Sequence, residues 1–292
     1  MFRKISVCLL TVLMLMSLTA MVAAHGKKKP VKKGILLVSF GTSVPEAQVA
    51  FKHIEEKVKA EFPNVPLRWA YTSHIIRHKL AKEGQQLDSV EIALAKMMEE
   101  GFTHVAVQSF HIIGGEEFHI MHQNVKAFAG MAEGIEKISI GYPLLSTQDD
   151  LQKVTEAVIA NIPKNRKKDE AVVLMGHGTP HPSNAFYPAM MYYLQQKDPN
   201  LFIGTVEGTP TIDDIKTMLT QKGIKKAYLI PFMSVAGDHA RNDMSGDEKE
   251  SWKNILGAAG ISCEPVLKGL AEYDNIVAIW IEHLKKAYTH FD

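Results

Sequence analysis

The sequence is poor in cysteine, and its positive and negative charges almost balance. Its 292 residues include 2 cysteines, and one of them, Cys8, lies in an apolar segment near the start. If that segment is removed, Cys263 is the only cysteine left, so no intrachain disulfide can form and an ordinary hydrophobic core must stabilise the fold. Lys and Arg number 33 against 32 Asp and Glu. This balance gives no support to a nucleic-acid partner.

Long apolar runs are also missing, except for one at the beginning. Arg3 and Lys4 precede the run ISVCLLTVLMLMSLTAMV, and the small residues Ala23 and Ala24 follow it. That order is typical of a secretory signal peptide. An uncleaved membrane anchor is the alternative, because the run is near the lower length limit for a span. We expect residues 1–24 to be a signal peptide, the mature chain to be periplasmic, and no membrane span to remain in it.

Short apolar runs alternate with helical patterns from residue 33 onward. GILLVSF (34–40) is apolar throughout, as expected of a strand buried on both faces, and Asp88 and Glu91 are expected to cap a helix. The second half repeats the order, since AVVLMGHGTP matches GILLVSFGTS and AYLIPFMSVAGDH matches VAVQSFHIIGGEE. The pattern predicts an α/β fold of two similar lobes, each a parallel sheet with helices on both faces. We place these lobes at residues 25–146 and 147–292.

Three polar residues follow successive strands of the second lobe. They are His177 in GHGTP, Glu207 in TVEGTP and His239 in SVAGDHARND, each about one βαβ unit from the next. Because the carboxyl ends of parallel strands meet at one edge of a sheet, we expect these side chains to lie together. Two imidazoles and a carboxylate suit divalent cobalt, iron, nickel or zinc, and a neutral imidazole also accepts protons. The sequence therefore predicts a metal-competent site at this edge.

The duplicated lobes and the motifs GHGTPHPSNAFYP, TVEGTP and SVAGDHARNDM resemble the anaerobic sirohydrochlorin cobaltochelatases of the CbiK type. These are class II chelatases related to ferrochelatase. The resemblance covers essentially the whole chain after residue 24 and includes SFHIIGGEEFH in the first lobe. It implies an enzyme, a metal chelatase, that inserts Co(II) into the tetrapyrrole sirohydrochlorin without ATP and releases two protons. It also implies that His177, Glu207 and His239 are the metal-binding and catalytic residues. Fe(II) is the alternative substrate metal, because borderline ligands accept both ions.

A flat tetrapyrrole that carries many carboxylates suits a cleft with an apolar floor and a basic rim. Five residues are therefore expected to contact the substrate, and they are Arg68, Arg77, His111, Tyr187 and Arg241.

A second group of histidines leaves several interpretations open. His119 and His122 are three residues apart on an expected helix and would share one face. This spacing suits a second metal ion or an axial bond to haem, whereas two solvated histidines are the alternative. Export leaves a rival function open, a periplasmic protein that binds or transports a metal ion or haem. The sequence also leaves a homo-oligomer open.

Overall fold

The computed structural model describes residues 30–132 and 134–291, and the chain divides into two units, Met1–Lys32 and Lys33–Asp292. The fold belongs to the second unit. The expected signal peptide, residues 1–24, lies outside the described residues. Of the helices in the described part of the chain, none has the length and hydropathy needed to cross a membrane.

Two parallel sheets of four strands form the framework, which confirms the predicted fold class. The first sheet has the strand order β2-β1-β3-β4 and the second has the order β6-β5-β7-β8. The central strands are buried along almost their whole length, as their continuous apolar sequences predict. In chain order the strands are β1 (Lys33–Ser39), β2 (Leu67–Tyr71), β3 (His104–Ser109), β4 (Lys137–Gly141), β5 (Ala171–Gly176), β6 (Leu201–Thr205), β7 (Lys226–Pro231) and β8 (Ser262–Pro265).

Helices connect the strands, as parallel pairing requires. In chain order they are α1 (Val49–Glu61), α2 (His74–Lys82), α3 (Val90–Glu99), α4 (Glu116–Ala129), α5 (Gln148–Ala160), α6 (Phe186–Lys197), α7 (Ile212–Gln221), α8 (Trp252–Ala258) and α9 (Asp274–Thr289). Short 3₁₀ segments lie at Pro45–Gln48, Pro182–Ala185 and Leu270–Glu272, and a π-helical turn lies at Ala240–Met244.

The internal duplication extends to individual backbone hydrogen bonds at the carboxyl edge of each sheet. Two bonds of the first lobe have counterparts at the matching positions of the second. Ser73 N–H to Phe40 O (3.1 Å) corresponds to Glu207 N–H to His177 O (2.8 Å), and Phe110 N–H to Val38 O (2.8 Å) corresponds to Phe232 N–H to Met175 O (2.7 Å). The segments after β1, β2 and β3 therefore have structural equivalents after β5, β6 and β7.

The last helix joins the two lobes. α9 packs against β3 and β4 of the first sheet, and Trp280 on α9 donates its Nε1–H to the carbonyl oxygen of His111 at 3.3 Å. One buried cluster also contains residues of both central strands, among them Leu37 of β1 and Leu174 of β5. The strands of the two sheets fall on either side of the lobe boundary placed at residues 146 and 147, which stays a prediction.

A helix cap differs from the sequence expectation. α3 begins at Val90, and the Oγ of Ser89 accepts a hydrogen bond from the backbone N–H of Ile92 at 3.3 Å. The expected cap at Asp88 is wrong, because the Asp88 carboxylate pairs with Lys96 at 2.6 Å instead. Serine and aspartate are both good caps, so the two neighbouring positions could not be separated by sequence alone.

Candidate active site between the sheet edges

The turn after β5 brings His177 to the edge of the second sheet. The next residue, Gly178, has φ +81°, and a Cβ at that position would lie 2.7 Å from the backbone nitrogen of Gly208 and 2.9 Å from the carbonyl carbon of Glu207. Only glycine fits so close to the neighbouring turn at a positive φ. The turn that carries Glu207 therefore lies directly against the turn that carries His177.

The structure brings the three predicted residues together. His177 Nδ1 lies 3.8 Å from Glu207 Oε2, and the His177 and His239 rings have centroids 4.8 Å apart and nearly perpendicular planes. All three side chains are solvent-accessible, from 33% for His239 to 58% for Glu207. The topological argument from strand ends therefore describes the placement of these residues correctly.

Hydrogen bonds fix the same tautomer in both imidazoles. His177 Nδ1 lies 3.0 Å from the carbonyl oxygen of Gly178, and His239 Nδ1 lies 2.5 Å from Asp243 Oδ2. A carbonyl and a carboxylate only accept hydrogen bonds, so each Nδ1 carries a proton. The lone pair of each neutral ring is then on Nε2, where it is available to a metal ion or a proton.

Asp243 contacts His239 across a π-helical turn. The turn covers Ala240–Met244 and places the carboxylate four residues after the histidine. Such turns recur at functional sites, and a carboxylate behind a metal-binding imidazole orients the ring and raises its basicity. Sequence reasoning missed Asp243, although its spacing from His239 was visible in DHARND.

The three side chains are not closed around an ion. Among residues 30–132 and 134–291, no group of three His, Cys, Asp or Glu side chains is arranged to hold a metal. Glu207 lies on the Nδ1 side of His177, whereas the lone pairs are on the Nε2 atoms. The metal-binding role of His177, Glu207 and His239 stays a prediction, and the exposed Glu207 would have to rotate to complete a three-ligand set.

Residues of the first lobe lie opposite the histidines. The Phe40 ring, 41% exposed, has its centroid 6.4 Å from that of His177. A Cβ on Gly237 would lie 3.1 Å from Thr42 Oγ1, and Arg241 Nη2 lies 4.0 Å from Glu46 Oε2. The site is thus an opening between two sheet edges, with an aromatic wall on one side.

A separate cavity of about 460 Å³ lies at the opposite, amino edge of the second sheet.

Three of the expected substrate-contacting residues lie near the carboxyl edges of the sheets. Arg241 spans the lobes through its approach to Glu46. His111 follows β3 and contacts Ser109 Oγ at 2.8 Å, and burial lowers its pKa to about 4. Arg77 lies on α2, which starts after β2, and its buried Nε has no hydrogen-bond partner in the described structure. These three remain candidates for contact with a substrate.

Two other expected contacts are wrong. Arg68 lies near the amino end of β2, and its guanidinium is paired with Glu100 and, at 3.9 Å, with Asp88. Tyr187 is only 2% exposed because its ring packs against Gly176, where a Cβ would lie 2.4 Å from the ring. Burial raises the pKa of Tyr187 to about 12. Tyr187 therefore packs against the end of β5, just before His177, and does not face the opening.

His119 and His122 share one aromatic neighbour, and His119 has a second one in the other lobe. The His119 ring packs against His181 of the other lobe at 4.8 Å, and its Nδ1 lies 2.9 Å from the carbonyl oxygen of Gly115. Both rings also pack against Phe118, at 5.8 Å for His119 and 6.0 Å for His122. A joint role of these two histidines at a second metal ion or haem stays a prediction.

Solved structures identify the class of fold. SirB from Bacillus subtilis with Fe³⁺ matches with a TM-score of 0.60 and 17% identity over 88% of this chain and 96% of that chain. The sirohydrochlorin chelatase SirB from Bacillus subtilis subspecies spizizenii, in complex with cobalt, matches with a TM-score of 0.60 and 16% identity over 89% and 97% of the two chains. The architecture is therefore that of the chelatases.

Sequence comparison gives the family. The chain belongs to the cobalt chelatase (CbiK) family, whose model matches residues 33–289. It is 44% identical over 261 residues to the sirohydrochlorin cobaltochelatase CbiKC of Nitratidesulfovibrio vulgaris (strain Hildenborough), covering 89% of this chain and 92% of the relative. It is 35% identical over 258 residues to the sirohydrochlorin cobaltochelatase of Salmonella typhimurium (strain LT2), covering 88% and 96%.

Proposed function

We propose that this protein is a sirohydrochlorin cobaltochelatase that inserts Co(II) into its tetrapyrrole substrate without ATP. The observation that carries the proposal is the convergence of His177, Glu207 and His239 at one open sheet edge. Both curated relatives, which match almost the whole chain, are named for this activity.

The reaction needs a metal-binding group and a proton acceptor at the same place. Two pyrrole N–H bonds break and two metal–nitrogen bonds form, and the two further ring nitrogens donate lone pairs. Two protons leave and no electron is transferred. A cation beside the ring favours loss of the protons, and a neutral imidazole can accept them. The site must also be incomplete, since an ion with a full set of protein ligands could not be transferred to the ring.

The tautomers suggest how the work is divided. His177 is the principal proton acceptor, because its Nε2 lone pair is free and Glu207 is close enough to stabilise the imidazolium that forms. His239 holds the incoming metal through Nε2, while Asp243 keeps its ring oriented. Glu207 is exposed and can turn toward the ion during delivery.

The first lobe would hold the macrocycle. Phe40 presents an exposed aromatic face opposite His177, and aromatic rings stack with an offset on other flat rings. Arg241 lies at the rim, where a guanidinium can bind a substrate carboxylate in bidentate fashion. Arg77 and His111 are the further candidates for polar contacts.

Cobalt is the metal we propose, because both curated relatives are named cobaltochelatases. The ligand types alone accept Fe(II) as well. A receptor for metal or haem is the less favoured function, since the relatives are enzymes by name.

The test is an assay of metal insertion, in which the absorption spectrum of the ring reports the reaction. The protein is incubated without oxygen with sirohydrochlorin and either Co(II) or Fe(II). We expect His177→Ala to lose most of the activity, whereas the matched control His290→Ala, in an exposed position beyond α9, should keep it. If the wild-type protein is no faster than His177→Ala with either metal, the proposed catalysis is wrong.

We propose in addition that the chain is exported, on the basis of the signal-peptide pattern in residues 1–24. Fractionation of cells that express the full chain should place it in the periplasm, and amino-terminal sequencing should begin at Ala24 or His25. A cytoplasmic protein that retains Met1 would contradict export. Assembly into a homo-oligomer stays a prediction.

A further inference from the structure

A pair of histidines outside the catalytic site forms the strongest unassigned cluster. His74 and His78 lie four residues apart on α2, and their ring centroids are 3.9 Å apart with planes tilted by 59°. Both residues are exposed. Residues four apart on a helix share a face, so this contact follows from the spacing itself.

Neither ring is engaged by another protein group. Within residues 30–132 and 134–291, His74 and His78 have no hydrogen-bond or ion-pair partner, and each keeps a nitrogen lone pair for an external ligand. Two protonated rings at this distance would repel each other. A metal ion bound to both rings instead makes the close approach favourable, because imidazole is the commonest protein ligand of transition metals.

The helix that carries the pair starts beside the opening between the lobes. α2 starts directly after Ser73, whose backbone N–H donates to the carbonyl oxygen of Phe40 at 3.1 Å. The Phe40 ring in turn lies 6.4 Å from the His177 ring. His74 is thus close to the catalytic opening along the chain, but it does not contact the three residues of that site.

The charges nearby restrict which ions could bind. The amino end of a helix repels cations, and Lys79 adds a positive charge next to the pair. Arg77 has its charge partly offset by Glu91, whose pKa is lowered by hydrogen bonds and by this guanidinium despite the opposing effect of burial. Calcium or magnesium, which need oxygen ligands and negative charge, would not be held here. Ions that bond strongly to imidazole would be held here, and nickel and copper would bind more tightly than cobalt.

We propose that His74 and His78 form an accessory site for an imidazole-binding divalent metal on α2, which starts beside the opening, and that this site is separate from the catalytic site. The two rings supply two ligands, and water completes the coordination. The site does not depend on the chelatase activity, and it can be tested by binding alone.

The experiment measures Ni²⁺ binding by calorimetry on protein without an affinity tag. The catalytic histidines are first removed with H177A/H239A, so that the remaining binding comes from other sites. In this background the intact pair is compared with H78A/K79H, which keeps the number of histidines but moves the second one off the shared face.

We expect the intact pair to bind one Ni²⁺ at least about tenfold more tightly than the displaced pair, because the second ligand binds intramolecularly. H74A in the same background should lose the same affinity. If the isotherms of the intact and displaced pairs superimpose, the two histidines do not form a chelating site. The binding result would be the same if the wild-type protein had no chelatase activity, so each of the two proposals can be refuted independently.

Discussion

The orientation of His239 by Asp243 leads to a quantitative prediction for Asp243→Asn. The carboxylate accepts a hydrogen bond from His239 Nδ1 at 2.5 Å, and a hydrogen bond to a charged group contributes about 1.5–3 kcal/mol. The asparagine amide can instead donate to Nδ1, which moves the ring proton to Nε2 and blocks the lone pair that would hold the metal. We therefore expect kcat/KM for Co(II) to fall by about tenfold to a hundredfold.

The matched control for this variant is Asp238→Asn. Asp238 precedes His239 directly and makes the same change in charge, but its carboxylate accepts from Asn242 at 2.9 Å and not from the histidine. Calorimetry with Co(II) alone should show the same loss of affinity for Asp243→Asn, with no loss for the control. If the two variants have the same kcat/KM while His239→Ala is inactive, Asp243 does not act through His239.

Three further predictions concern the framework of the site. Gly178→Ala should lose activity and about 1–3 kcal/mol of stability in urea unfolding, because a Cβ at φ +81° meets the turn that carries Glu207. The control Gly257→Ala should be neutral or stabilising, because a Cβ there has no atom within 4 Å. His111 has a folded pKa of about 4, below its ordinary 6.5, because it is buried, so stability should fall by about 3 kcal/mol as pH decreases from 7.5 to 4. A His111→Gln variant should show a correspondingly flatter pH dependence, and an unchanged slope would contradict the burial argument. Asp150→Asn should cost about 3–5 kcal/mol, because Asp150 and His283 form a buried pair at 2.9 Å. Burial opposes ionisation of Asp150, but the interactions with His283 and Thr147 together outweigh it and lower its pKa, so this stability should be lost only as pH falls below 3.8.

The placement of the three site residues could be predicted because it follows from topology. Parallel strands of a duplicated lobe must end at one edge, so polar residues that follow those strands must approach each other. The structure agrees at His177, Glu207 and His239. This inference requires only the positions of the strand ends, and the apolar runs locate those positions well.

The side-chain partners could not be predicted in the same way, because they depend on contacts between distant segments. Arg68 is paired with Glu100, which follows α3 and is 32 residues away in the sequence. Tyr187 is buried because Gly176 leaves room for its ring. The ligand geometry could not be predicted for a related reason, since the rotamer of an exposed carboxylate such as Glu207 is not encoded in local sequence.

The duplication also explains why the site is asymmetric. The shared register places Phe40, Ser73 and Glu117 in the first lobe at the positions of His177, Glu207 and His239 in the second. A second set of imidazoles opposite the first would surround an ion from both sides and hold it too completely for transfer. In the mechanism that we propose, an aromatic ring at position 40 leaves one side of the opening without metal ligands and gives the flat macrocycle a surface to lie on. Divergence of the two lobes would then allow one edge to deliver the metal while the other positions the ring that receives it.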